Sequence, residues 1–314
     1  MRMTLSRSAR AASLVIVTTA LSASGAGAWS SAPNSTGRQT FRGSILVTSD
    51  HGLYRRYSNG NLKQLTAGAA DRFPAWSRDG GQIAFERLDI RRERCPLFVM
   101  DSDGSGVHQV GQVTTDCSGV SWGPDDRRLV FGGAPAGQNN ATLGVVNADG
   151  TGMRRLLRGR AANPEGTHPA WSPDGRTIVF GWTASHLRGL LAIRPDGSGL
   201  HALVRPKRFD VFTQPMWSRD GTRLVFVDVD FGLPQARKIV VATSRGGHRH
   251  TLARLPFNPG EQGVPSWSPN GLVIAFSGLC GRQGCVWTIP SRGGKRRVLL
   301  RGHFLQATWG PAGT

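Results

Sequence analysis

Apolar and polar positions alternate along this chain in short runs, and the runs themselves repeat. Trp stands at positions 76, 122, 171, 217, 267 and 309, and a Phe follows nine residues after each of the first five: Phe85, Phe131, Phe180, Phe226 and Phe276. Three and four residues after each Trp comes a turn signal: Asp79-Gly80, Asp125-Asp126, Asp174-Gly175, Asp220-Gly221, Asn270-Gly271 and Ala312-Gly313. Pro often precedes it, at 124, 173, 269 and 311. Proline presets φ at the second position of a turn and glycine relieves strain at the fourth, so Ser-Pro-Asp-Gly predicts a tight hairpin. An alternating run such as Gln82-Ile83-Ala84-Phe85-Glu86 follows, with the period of a strand. Then come a loop of variable length, a second hairpin around Asp103-Gly104, Asp149-Gly150, Asp196-Gly197, Gly246-Gly247 or Gly293-Gly294, and a closing strand such as Met153 to Leu157.

Four short strands in a unit of roughly 40 to 50 residues are the arithmetic of a β-propeller blade. The repeated Trp and Phe are then core residues that fill the wedges between blades. The chain ends complete the count. Thr308 to Gly313 is an innermost strand and turn with nothing after it, whereas Ser44 to Thr66 supplies three outer strands and a hairpin at Asn59-Gly60 with no Trp motif ahead. Together they make one composite blade, and pairing the first strands with the last removes an exposed sheet edge. The expected fold is all-β: a six-bladed propeller of four-stranded antiparallel blades over residues 43–314, its ring closed by the terminal strands.

The run Pro169-Ala-Trp-Ser-Pro-Asp-Gly-Arg-Thr-Ile-Val-Phe180, followed by Ile193-Arg194-Pro195-Asp196-Gly197, resembles the repeat of TolB-type propellers, distant relatives of WD repeats. The resemblance covers residues 44 to 314 and implies the fold. TolB proper carries an α/β domain before its propeller, whereas here about 14 residues separate the leader described below from the first strand, so a place in a Tol-Pal envelope complex is not expected. Fold alone does not assign an activity.

Composition adds an address and a charge. Gly 42 and Pro 18 punctuate the chain too often for long helices. Residues 1–28 read as a signal peptide: Arg2, Arg7 and Arg10, an apolar stretch from Ala11 to Leu21, and the small-x-small ending Ala26-Gly27-Ala28. Residues 29–42, rich in Ser, Pro and Gly, read as a flexible tether. The protein is therefore expected to be bacterial and, after cleavage near Ala28, secreted or periplasmic, with no membrane span. Lys+Arg 39 against Asp+Glu 20 give a net charge of +19. Only four of the basic residues are Lys, so part of the excess reflects an Arg-rich composition.

Candidate chemistry is sparse. Gly119-Val120-Ser121-Trp122-Gly123 matches a nucleophile pattern that needs a strand, a sharp turn and a helix, but Ser121 occupies the place of Ala75, Ala170 and Ser266 in sister repeats and is assigned to packing. Asp101-Ser102-Asp103-Gly104 resembles the start of a calcium loop without its later bidentate Glu, so a plain hairpin is expected. The histidines lack metal spacing, and no metal or cofactor is expected. Propeller lyases resembling this repeat family place several His around the channel, which directs attention to the position three before each Trp. Those residues are Phe73, Gly119, His168, Gln214, Val264 and Gln306, a polar channel mouth with Phe73, His168, Gln214 and Gln306 as candidate ligand contacts.

Export makes four cysteines disulfide-competent. Cys280 and Cys285 bracket one loop. Cys95 opens a third strand and Cys117 lies before the next innermost strand, and loops after second and fourth strands share a face, so Cys95–Cys117 and Cys280–Cys285 are the expected bridges. That face also carries Arg91, Arg92 and Arg94 on one loop and Lys207 and Arg208 on another. Variable loops on a rigid scaffold are where recognition concentrates. The functional expectation is an exported, monomeric, non-catalytic binding scaffold for a protein or an anionic cell-envelope polymer, with no specific nucleic-acid partner. A polysaccharide lyase or hydrolase working in the channel is the alternative.

Overall fold

The computed structural model describes residues 43–312, apart from 50, 68–70, 90, 93, 136–141, 158–167, 184–187, 208–209, 231–235, 257–262, 282, 303 and 305. The leader, the tether and Arg208 fall outside the described residues. Every regular element among those described is a strand. The chain opens with β1 (Ile45–Ser49), β2 (Gly52–Arg56) and β3 (Leu62–Gln64). Next come β4 (Asp71–Trp76), β5 (Gln82–Arg87), β6 (Cys95–Asp101), β7 (His108–Trp122), β8 (Arg128–Pro135), β9 (Thr142–Asn147) and β10 (Arg154–Arg155). Two further groups of four follow. They are β11 (Ala170–Trp171), β12 (Ile178–Trp182), β13 (Gly189–Ile193) and β14 (His201–Val204), then β15 (Val211–Trp217), β16 (Arg223–Asp230), β17 (Ala236–Thr243) and β18 (His250–Pro256). The last are β19 (Ser266–Trp267), β20 (Val273–Cys280), β21 (Gln283–Pro290), β22 (Arg297–Arg301) and β23 (Gln306–Trp309).

Four of the resulting sheets are separate four-stranded antiparallel sheets, not the six expected. Residues 71 to 155 instead form one seven-stranded sheet of order β10-β9-β8-β7-β6-β5-β4. The cause is β7, 15 residues long, which runs on where a loop was expected around Cys117. Its first half pairs with β6, while β8 pairs with Val113 to Thr115 on its other edge and, after a register shift between Thr115 and Val120, with Val120 to Trp122. The outermost β10 is only two residues long, shorter than the strand expected from Met153 to Leu157.

The terminal strands do pair. β23 lies antiparallel against β1, with Ile45 opposite Trp309 and Thr48 opposite Gln306, giving the order β23-β1-β2-β3. Trp309 therefore sits on the first strand of the sheet that holds Ile45 to Thr48.

The repeat Phe residues are the heaviest fully buried side chains, each at 1% exposure or less. The repeat Trp residues join one sheet or half-sheet to the next by hydrogen bonds as well as by packing. Trp122 Nε1 donates to Ala75 O at 3.0 Å, Trp217 Nε1 to Ala170 O at 3.2 Å and Trp267 Nε1 to Met216 O at 3.1 Å. In each case the acceptor is the residue before the preceding Trp, so the polar tip of a buried indole is satisfied by the neighbouring inner strand. Ser121 and Ser266 occupy that same position and accept the backbone N–H of Trp171 at 3.1 Å and Trp309 at 2.9 Å. Ser121 is thus part of the contact between inner strands.

The turns after the Trp residues repeat as faithfully. Ser77, Ser172 and Ser218 donate to Asp79, Asp174 and Asp220 at 2.7, 2.6 and 2.6 Å. Where the repeat has Asp126 in place of glycine, φ is still positive at 54°. That carboxylate accepts the N–H groups of Arg78 and Asp79, so it clasps the adjacent turn.

Candidate functional site

The inner strands enclose a channel of about 270 Å³. It has two unlike ends. Toward the starts of the inner strands lie the variable loops; toward their C-terminal ends lie the repeated turns.

At the loop end the structure brings together the six positions three before each Trp: Phe73, Gly119, His168, Gln214, Val264 and Gln306 all line the cavity. Phe73, His168 and Gln214 adopt φ of 51°, 39° and 54°, a left-handed region costly for residues with a side chain. Each precedes a proline, Pro74, Pro169 or Pro215. Proline has no N–H for a strand ladder, and the register duly slips between Arg72 and Ala75 and between Thr213 and Met216. The slip is a bulge that departs from the regular alternation of side chains.

The group is knit together. Phe73 N–H donates to Gln306 Oε1, tying β4 to β23. The rings of Phe73 and His168 meet edge-on, centroids 5.1 Å apart. Gly119 stands between them with φ 92°, and a Cβ there would lie 3.5 Å from the Phe73 ring and 3.7 Å from His168. Its N–H donates to Glu86 Oε1 at 3.1 Å. His168 Nδ1 and Thr213 Oγ1 share a hydrogen bond of 3.0 Å. Gln214 is only 5% exposed, and its Oε1 has no hydrogen-bond partner among the described residues.

The loop arginines do not join this group. Arg91, Arg92 and Arg94 are exposed on one turn and Lys207 on another, and none of them lines the cavity. Arg92 pairs loosely with Asp89 at 3.8 Å, and the turn is pinned by Asp89 N–H donating to Arg94 O at 2.8 Å. Beneath that loop Arg87 clamps the buried Asp71 through two nitrogens at 2.7 and 3.1 Å. On a neighbouring part of this face Lys238 reaches Asp228 at 3.5 Å and Asp230 at 3.1 Å. Burial pushes the Asp228 carboxyl above its ordinary value, against the pull of Lys238. The basic rim is therefore interrupted by ion pairs.

Both expected disulfides are present on this face. Cys95–Cys117 spans 22 residues with Cα atoms 5.4 Å apart, and Cys280–Cys285 spans five with Cα atoms 5.9 Å apart. Cys117 sits at φ 57° inside β7, so the first bridge holds the irregular stretch between the residues paired with both β6 and β8 and those paired with β8 alone.

The turn end holds residues the sequence reading passed over. Arg78 and Arg219 line the cavity there. Each stands where four sister turns have proline: Ser77-Arg78-Asp79-Gly80 and Ser218-Arg219-Asp220-Gly221. That substitution within an otherwise regular motif was the available signal. Among the described residues no group of three or more His, Cys, Asp or Glu is arranged to hold a metal ion, and no helix is long and apolar enough to cross a membrane.

Residues 54–313 match the family model for the TolB beta propeller domain. An uncharacterized protein of Agrobacterium fabrum is 28% identical over 162 residues, covering 49% of this chain and 52% of that protein, so the chain spans about half the length of this relative. Among solved structures, TolB from Acinetobacter baumannii superposes with a TM-score of 0.73 at 17% identity, over 87% of this chain and 67% of that one. An oligogalacturonate lyase from Vibrio parahaemolyticus superposes with a TM-score of 0.53 at 17% identity, over 82% and 74% of the two chains. At these identities the likeness is one of fold.

Proposed function

This chain belongs to the TolB beta propeller domain family, and from that premise we propose that it is a non-catalytic binding scaffold acting outside the cytoplasm on a protein or an anionic polymer. The seven-stranded sheet reads as two units sharing β7, which makes six units around the channel within residues 43–314. Residues 1–28 act as the export signal and 29–42 as the tether. Two disulfides are in keeping with an oxidising compartment.

The observation that carries the reading is the make-up of the loop-end mouth. Three strained residues, Phe73, His168 and Gln214, gather there, and strain of this kind is retained where a surface must be held in one shape. The described lining contains one histidine and no carboxylate, so it offers contact groups and little general acid-base chemistry. Recognition is assigned to the loop face, with Phe73, His168, Gln214 and Gln306 at its centre and Arg91, Arg92, Arg94 and Lys207 around them; Arg208 is included by its place beside Lys207 in the sequence. A channel enzyme is the second reading, favoured by the fold likeness to an oligogalacturonate lyase and by His168 with its Thr213 partner.

The test is capture of a partner from a cell-envelope extract by the purified protein, repeated with R91E/R92E/R94E, with H168A/Q214A, and in 0.1 and 1 M salt. Screening shortens the reach of exposed charges from about 10 Å to about 3 Å over that range. A partner lost with salt and with the triple reversal is held by the rim; one lost only with the mouth variants is held by the channel. Binding indifferent to all of these rejects the loop face. Cleavage of polygalacturonate that disappears in H168A, with folding intact, would replace the scaffold reading by the enzyme.

A further inference from the structure

We propose that the turn end of the channel, opposite the face discussed above, is an anion seat in which Arg78 and Arg219 hold the carboxylate of a ligand reaching into the channel. Two of the six Trp-proximal turns forgo the proline that would stiffen them and carry arginine instead, while the Ser–Asp hydrogen bond at 2.7 and 2.6 Å keeps the turn intact. At position 78 the exchange supplies the N–H that Asp126 accepts, whereas at position 219 no hydrogen bond among the described residues calls for it.

The two cations line the same end of the channel. Arg78 Nη1 donates to Pro173 O at 2.8 Å, reaching past the turn that contains Pro124. Gly221, two residues beyond Arg219, faces the same proline: a Cβ there would lie 3.8 Å from the Pro173 ring. Pro173 is thus touched from one side by the Arg78 guanidinium and bordered on the other by the Arg219 turn. Both arginines are exposed and line the channel, whose described lining includes no Asp or Glu.

The aspartates beside them are engaged by their own turns. Asp79 accepts from the Ser77 hydroxyl and Gly81 N–H, and Asp220 from the Ser218 hydroxyl and Thr222 N–H. Asp126 is occupied by the backbone N–H groups of Arg78 and Asp79. Neither guanidinium has an ion pair among the described residues. A guanidinium presents planar N–H pairs that match a carboxylate, and two of them at a narrow opening favour an anion there.

The experiment titrates the protein with succinate, with the uncharged analogue succinamide and with inorganic phosphate, by calorimetry and by the arginine side-chain N–H signals in NMR. Succinate should bind weakly and shift the signals of Arg78 and Arg219, and succinamide should not. R219Q should weaken succinate binding by about tenfold, the scale of a lost charge-assisted pair. It makes no hydrogen bond within the described residues, so it also tests the seat if R78Q proves unstable. R91E/R92E/R94E should leave succinate binding unchanged. Equal binding of succinamide, or an R219Q protein that binds succinate as well as the parent, would overturn the seat. Tighter binding of phosphate at the same two residues would overturn its assignment to a carboxylate. Loss of succinate binding only in the loop triple variant would place the anion on the other face, rejecting the seat while leaving the loop-face reading standing.

Discussion

The two ends of the channel are built from the same six strands and follow opposite rules. At the turn end the repeat is nearly strict: Ser77, Ser172 and Ser218 bond their aspartates and Ser268 its Asn270, five turns among the described residues close on their fourth residue, and neighbouring turns touch through glycine and proline. At the loop end the three-before-Trp position holds Phe, Gly, His, Gln, Val and Gln in succession, three of them strained, with both disulfides on the same face. Regularity marks what closes the ring, and departures from it mark what can be specialised. By that measure Arg78 and Arg219 are departures within the regular end, which is why they stand out there.

The largest expected effect breaks the ring itself. Removing residues 305–314 deletes β23, and with it the buried Ala307 and Trp309, the Gln306 contact with Phe73 and the Trp309 bond to Ser266. It also exposes the edge of β1, normally paired from Ile45 to Thr48. Loss of a buried Trp alone costs about 3–5 kcal/mol, and in a domain of this size each kcal/mol moves the melting temperature by about 2–4 °C. Thermal unfolding should therefore fall by more than about 10 °C. An unchanged melting curve would mean that the β1–β23 pairing does not close the structure.

The disulfides sharpen the contrast within the loop face. Cross-linking restricts the unfolded chain more as the closed loop lengthens, so Cys95–Cys117, spanning 22 residues, should contribute about 3 kcal/mol and Cys280–Cys285, spanning five, about 2 kcal/mol. The first also pins the irregular stretch in β7, where two sets of strands share one backbone. C95A/C117A should then unfold at lower denaturant than C280A/C285A. The reverse order would show that the seven-stranded sheet does not depend on its bridge.

How much of this was legible in the sequence follows the same division. The Trp and Phe positions, the turns, the complementary chain ends and both cysteine pairs were readable because each repeats a local rule, or completes one. The merger of two expected blades was not. A break in register inside β7 is a tertiary event, and His108 to Trp122 carries no proline to mark where one unit ends. The strain at Phe73, His168 and Gln214 was also hidden, although the proline after each was a trace of it. Ser121 illustrates the opposite case, because its alignment with Ser266 foretold a structural place, and both hydroxyls accept the N–H of the next Trp. Arg78 and Arg219 were legible as departures from the proline of the sister turns, whereas their sharing one channel depends on the arrangement of the inner strands.

The smallest expected effect distinguishes the two ends by the sign of their response to pH. At the turn end the Ser172 hydroxyl and the Arg176 N–H hold the Asp174 carboxyl below its ordinary 3.8. A lowered value in the folded state means stability that is present above 3.8 and is lost as pH falls through the folded value. At the loop end burial holds Asp228 above its ordinary 3.8. A raised folded value means the reverse: the contribution is present below 3.8 and disappears as pH rises through the folded value. Replacing each carboxylate by its amide isolates these terms, since Lys238 keeps Asp230 at 3.1 Å when Asp228 is changed. At pH 7, D174N should melt below the parent and D228N slightly above it; near pH 3 both differences should shrink. Each comparison is of a variant with its parent at one pH, so the acid sensitivity of the remaining carboxylates cancels. If both variants shift in the same direction at pH 7, the contrast between an end that stabilises its charges and an end that buries one at a cost does not hold.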